Sequence, residues 1–117
     1  MVFIGYNTIE VMDRKKQLEE ELKRVVNVIL TRYKPERLIL FGSLANGEVH
    51  EWSDIDLAVI KDTKKSFIDR IGELLNLIRP KVGLNILVYT PKEVKEMETN
   101  RHYFWLDEIV NKGKVLL

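Results

Sequence analysis

The chain has 117 residues, with 19 basic against 18 acidic side chains, 45% hydrophobic residues and no cysteine. At this length it reads as one domain, residues 1–117, large enough to bury a core without metal or disulfide staples. The missing cysteine excludes disulfides, thiolate catalysis and Cys-ligated zinc, and the near-balanced charge leaves no bulk field to draw in nucleic acid. In chain order, Met1-Val-Phe-Ile-Gly5 is too short for a signal-peptide core, and no apolar run approaches the roughly 20 residues that cross a bilayer, so a cytoplasmic, non-membrane protein is expected. Asn7 with Glu10 resembles an N-terminal cap, and a helical pattern follows to about Tyr33. Leu18, Leu22, Val25, Val26, Ile29, Leu30 and Tyr33 share its apolar face, Glu19–Lys23 and Glu20–Arg24 are i,i+4 pairs on the wet side, and Pro35 stops it. A strand is predicted over 37–41, a short helical segment near 44–48 and a second strand over 55–60. A helix over about 64–78 should turn Phe67, Ile68, Ile71, Leu74, Leu75 and Ile78 inward. A third strand runs from Val82 to Tyr89. Thr90-Pro91-Lys92-Glu93 then starts a helix with a Thr cap, Pro at the first position and Glu at the third. A last helix is expected over 103–111, ended by Gly113. The fold class is α/β (α+β), one small mixed sheet flanked by helices.

The informative stretch joins the first two strands. Leu38-Ile-Leu-Phe41 ends in Gly42-Ser43, and eleven residues after Gly42 comes Ser53-Asp54-Ile55-Asp56, which opens the apolar run Leu57-Ala-Val-Ile60. Backbone N–H groups around a Gly-Ser turn can cradle a phosphate, because glycine lets the main chain approach closely and the hydroxyl adds a donor. Two aspartates at i and i+2 on a strand project from one face and can share a hard cation. Each motif alone has a plain structural explanation, an ordinary strand-ending turn for Gly42-Ser43 and a helix cap for Ser53-x-x-Asp56. A phosphate loop facing a carboxylate pair is what metal-assisted transfer from a nucleoside triphosphate requires.

G-S-x-x-x-G followed by S-D-x-D-L resembles the signature of the DNA polymerase β-like nucleotidyltransferase superfamily. The short length is similar to its minimal nucleotidyltransferase branch, whose members are often paired with helical HEPN-type partners in toxin–antitoxin systems. Gly42, Ser43, Gly47, Ser53, Asp54, Asp56 and Leu57 stand where that motif expects them, and the similarity reaches through Tyr89-Thr90-Pro91. The resemblance implies that Gly42, Ser43, Gly47 and Ser53 bind a nucleoside triphosphate, ATP, and that Asp54 and Asp56 hold Mg2+ or Mn2+ and serve catalysis. It implies transfer of AMP to a hydroxyl, such as a tyrosine of a HEPN-type partner.

The third strand departs from that pattern. Family members that catalyse transfer carry a third aspartate there, whereas this chain reads Val82-Gly-Leu-Asn-Ile-Leu-Val-Tyr89, with Asn85 in the matching place. Asparagine offers a carbonyl to a metal but cannot take a proton from an acceptor hydroxyl. The alternative function is therefore a weakened or inactive nucleotide-binding antitoxin subunit that acts by protein contact. By strand parity, Ser43, Asp54, Asp56 and Asn85 are expected to converge on one cleft. Other candidates are weaker. Trp52 could cover a nucleotide but is expected to pin its loop, and His50 is expected to be solvated. Lys61, Lys64 and Lys65 could meet a triphosphate but suit a wet helix start. Of Tyr103-Phe104-Trp105, at least one should be exposed and the other two should pack in the core.

Overall fold

A computed structural model of the protein describes residues 2–117, with side chains from Ile9 onward. Helix α1 (Val2–Val28) continues into a wider π-turn, Ile29–Tyr33, whose bonds span five residues, so that the Lys34 N–H meets the Ile29 carbonyl at 2.9 Å. Lys34 ends it in the left-handed region, φ 55°, and Pro35 follows. The expected apolar face is the buried one: Leu18, Val25, Ile29 and Tyr33 lie in the core, with Leu22, Val26 and Leu30 packed against it. The cap expected of Asn7 and Glu10 falls on Asn7, whose side chain lies outside the described ones.

The two expected i,i+4 ion pairs are replaced. Arg24 meets Glu21 at 2.7 Å, and Glu19 stands 4.0 Å from Lys15. The reason is tertiary: Arg24 turns towards the end of the next long helix, donating to the carbonyls of Ile78 and Arg79, while buried Glu21 also accepts the Lys81 N–H at 2.6 Å.

Strands β1 (Arg37–Phe41), β2 (Ile55–Ile60), β3 (Leu84–Tyr89) and β4 (Lys114–Val115) form one sheet in the order β3-β2-β1-β4. β1 runs antiparallel to β2 and β4, and β2 runs parallel to β3, so the sheet is mixed as expected. The parallel pair needs a crossover, supplied by helix α3 (Phe67–Ile78), while the antiparallel pair is joined by the loop that carries the one-turn helix α2 (Ser43–Asn46). Strand alternation then builds two cores. Leu38, Leu40, Ile55, Leu57, Val59, Ile86 and Val88 face α1 and α3. Ile39, Phe41, Ala58 and Ile60 face Val94 of α4 (Pro91–Thr99) and Trp105 and Ile109 of a π-helix, Phe104–Asn111.

Several boundaries and faces differ from expectation. α3 starts at Phe67, because the Ser66 hydroxyl accepts the Asp69 N–H and fixes the start there. Ile68 is exposed rather than inward: it lies about a third of a turn around the helix from Leu74, and Arg70 takes an inward place instead. β3 starts at Leu84. Only Trp105 of the three consecutive aromatics is in the core; Tyr103 is exposed and Phe104 sits edge-on to Phe41 with centroids 5.8 Å apart. β4 was not expected: it is too short to show a period, and exists because Leu116 and Leu117 bond back to Leu38 along the β1 edge. Among the described residues, no helix is long and apolar enough to cross a membrane.

Candidate active site

β1 delivers the chain to Gly42, whose backbone sits at φ 73°, ψ −160°. That conformation favours glycine, and a second constraint acts there: a Cβ on Gly42 would overlap the Asp56 carboxylate. The contact follows from the register, because Phe41 lies directly opposite Asp56, so the residue after Phe41 meets the Asp56 side chain. Ser43 opens α2, whose first N–H groups precede any intrahelical acceptor. Gly47 ends α2 at φ 82°, its N–H bonded to the Ser43 carbonyl, with open space where a Cβ would be. In this structure Gly47 shapes the loop.

Across the sheet Asp56 is in register with Asn85, and the Asn85 amide donates to Asp56 Oδ1 at 2.8 Å. Burial pushes the Asp56 carboxyl above its ordinary value; the Asn85 bond works against this and the charge of Asp54 adds to it. Asp54 lies just before β2, where the Ile55 N–H bonds to the Gly83 carbonyl at 3.0 Å. A Cβ on Gly83 would overlap the Asp54 carboxylate. Asp54 Oδ1 is 3.3 Å from the Arg14 guanidinium, which also donates to the Ser53 carbonyl at 2.9 Å and to Gln17 at 2.9 Å. Ser53 is buried, and its hydroxyl accepts the His50 N–H at 2.8 Å, so it holds the loop closed on itself.

Arg14 and Gly83 are site neighbours that sequence reasoning missed. The segment Gly42–Asp56 contains neither lysine nor arginine, a signal that any cation at the site comes from elsewhere in the chain. Of the weaker candidates, Trp52 is 76% exposed and therefore does not pin its loop; its ring is tilted against that of exposed His50, centroids 6.0 Å apart. Lys61 follows the far end of β2, donating to the Tyr33 carbonyl at 2.7 Å, and Lys65 pairs with Glu73. These lysines belong to the other end of the sheet from Asp54 and Asp56.

The donor set suits a hard divalent cation. Burial first, and the charge of Asp54 last, hold Asp56 above its ordinary value, and a cation beside the two carboxylates would offset both. Among the described residues no group of three or more carboxylates, histidines or cysteines could hold a metal ion. The place beside Asp56 on β3 is filled by an amide, so two protein carboxylates plus phosphate and water oxygens would complete the set.

The family profile described as "Polymerase beta, Nucleotidyltransferase" matches residues 23–117. Two proteins of Methanocaldococcus jannaschii, each named "Putative protein adenylyltransferase", are 32% identical over 85 residues and 28% identical over 101 residues. These matches cover 71% and 84% of this chain and 84% and 96% of the relatives. A crystal structure of a putative nucleotidyltransferase from Sulfolobus solfataricus superposes with a TM-score of 0.60 at 18% identity, over 91% of this chain and 85% of that one, a likeness of fold. With the profile spanning most of its length, the chain belongs to the polymerase β-type nucleotidyltransferase family.

Proposed function

We propose that the protein is a magnesium-dependent nucleotidyltransferase that moves AMP from ATP onto a hydroxyl acceptor, with manganese as an alternative ion. The observation that carries this is the packing of the Asp56 carboxylate against Gly42, with Asp54 two residues upstream. It brings a Gly-Ser turn and a carboxylate pair to one end of the sheet. The names of the Methanocaldococcus relatives favour AMP as the group transferred and a protein as the acceptor. Asp54 and Asp56 would hold the ion, which when bound supplies charge neutralisation for the triphosphate. Gly42 and Ser43 bind the terminal phosphates through backbone N–H groups and the Ser43 hydroxyl, while Gly47 and Ser53 keep the loop in shape. The acceptor hydroxyl oxygen attacks the α-phosphorus and gives up its proton to water, the bond to the bridging oxygen breaks, and pyrophosphate leaves. By family resemblance the acceptor is a tyrosine hydroxyl on a small helical HEPN-type partner in the cytoplasm.

A second reading has a specific observation behind it. Asn85 gives Asp56 an N–H donor in place of a proton acceptor. A chain lacking that base loses ~10²–10⁴ in rate, which fits an antitoxin-like subunit that binds nucleotide and acts by contact. Calorimetry with ATP and magnesium tests the site shared by both readings. The parent chain should bind, and the Asp54→Ala/Asp56→Ala double variant should not. Equal binding by the double variant, or none by the parent at millimolar nucleotide, would remove the site.

A further inference from the structure

We infer that Arg14 is the built-in counter-cation of Asp54, whose charge opposes metal binding at that carboxylate and then helps to hold the triphosphate, as a positioning residue. The second half rests on the proposed function. The first rests on geometry alone. One face of α1 sends the guanidinium into three bonds: Nη2 to Asp54 Oδ1 at 3.3 Å, Nε to the Ser53 carbonyl at 2.9 Å and Nη1 to Gln17 Oε1 at 2.9 Å. The Arg14 side chain is 19% exposed and that of Asp54 41%, so the pair sits at the rim of the site, reachable from solvent yet partly shielded.

Its surroundings are acidic. Arg14 lines an open hollow of about 510 Å³ with Glu10, Asp13, Gln17 and Glu51. Glu51 is pushed above its ordinary value, first by a side-chain hydrogen bond with Glu10. A guanidinium in such a field is held by its anions. A metal at Asp54 would stand beside the guanidinium, so the two positive charges repel and compete for the charge of one carboxylate. Because Gly42–Asp56 carries no lysine or arginine, Arg14 is a nearby positive group for an incoming metal–triphosphate, and guanidinium matches phosphate oxygens in fork geometry. The bonds from Nε to Ser53 and from Nη1 to Gln17 hold the guanidinium at the rim of the site.

The test uses Arg14→Gln, which keeps a hydrogen-bonding head but removes the charge, and Arg14→Lys, which keeps the charge without the fork. Two ligands are titrated separately: Mn2+ alone, followed by its electron paramagnetic resonance signal, and magnesium–ATP, followed by calorimetry. Arg14→Gln should bind Mn2+ alone about three- to tenfold more tightly, as expected for removing a partly exposed competing cation. The same variant should bind magnesium–ATP about tenfold more weakly, and Arg14→Lys should recover part of the nucleotide affinity. The opposite signs separate this role from a merely structural one, which weakens both ligands together. Parallel weakening, or Mn2+ affinity unchanged in Arg14→Gln, overturns the inference. A parent chain that binds no magnesium–ATP overturns the proposed function and the second half of the inference, and the Mn2+ arm still decides the first.

Discussion

Asp56 and Asn85 face each other in register on parallel strands, and of the two only the aspartate can gain or lose a proton. Replacing Asn85 by Asp restores a base and sets a second carboxylate against Asp56, so that the two cannot both ionise without a cation between them. Asn85→Asp should raise transfer of label from α-labelled ATP to a co-purified helical partner by ~10²-fold or more. Affinity for a single metal–ATP complex should change far less than the rate of transfer. Brisk transfer by the parent, undiminished relative to the variant, would show that position 85 does not hold the base. Glycine makes a second residue-scale contrast. Gly42 combines a positive φ with a carboxylate where a Cβ would go, whereas Gly47 has the positive φ alone. Gly42→Ala should therefore destabilise the fold by about 2–4 kcal/mol and abolish ATP binding, while Gly47→Ala costs about 1 kcal/mol and leaves binding largely intact. Urea melts with calorimetry read both; equal costs would mean that the Asp56 contact is not what constrains Gly42.

At the scale of elements, helix starts and ends are tied to the strands that carry the site. α4 begins with a complete capping box: Thr90 accepts the Glu93 N–H and Glu93 accepts the Thr90 N–H. The same Glu93 oxygen meets Arg70 of α3 at 2.6 Å, and buried Arg70 also donates to the carbonyls of Val88 and Lys65. One arginine thus joins α3, β3 and α4. Thr90→Ala removes one cap bond and should cost about 1 kcal/mol. Glu93→Ala removes the other half of the box and leaves the Arg70 charge short of its anion, so it should cost about 2–3 kcal/mol. In a double-mutant cycle the two losses should be less than additive, since both act on one cap; strict additivity in urea denaturation would show that the box and the ion pair act independently.

For the whole molecule, acid should act on binding and on folding at different pH. Burial pushes Glu93 up, but its bonds to Arg70 and Thr90 outweigh this and leave it below its ordinary value; Glu21 is lowered chiefly by its bond to Arg24. Both stabilise the fold above the unfolded carboxyl pKa, and that contribution is lost as pH falls through their depressed values. Asp56 has the opposite sign. Its raised value makes the ionised form costly to the fold, so protonation relieves that cost before the two glutamates titrate. On lowering pH, magnesium–ATP binding should fade first, as Asp56 protonates, while the urea midpoint holds until the glutamates protonate. Coincident loss of binding and stability would contradict this order.

Much of this was legible in the chain because it is encoded locally. Short apolar runs bounded by turn residues give β1, β2 and β3, Thr90-Pro91-Lys92-Glu93 gives the start of α4, and glycine and aspartate at fixed spacing mark a candidate site between β1 and β2. What escaped lacks a local signal. Arg14 is one more polar residue on a helix until α1 is laid along the sheet and brings it to Asp54, 40 positions away. Arg24 reads as an i,i+4 partner until the end of α3 offers it carbonyls, and β4 exists only because the β1 edge is there to receive it. The chain alone marked which residues are candidates to bind phosphate or metal, since that depends on side-chain chemistry and short spacing. The tertiary structure decided which charges stand beside them, because a long-range contact depends on how helices and strands pack and not on the residues adjacent in the chain.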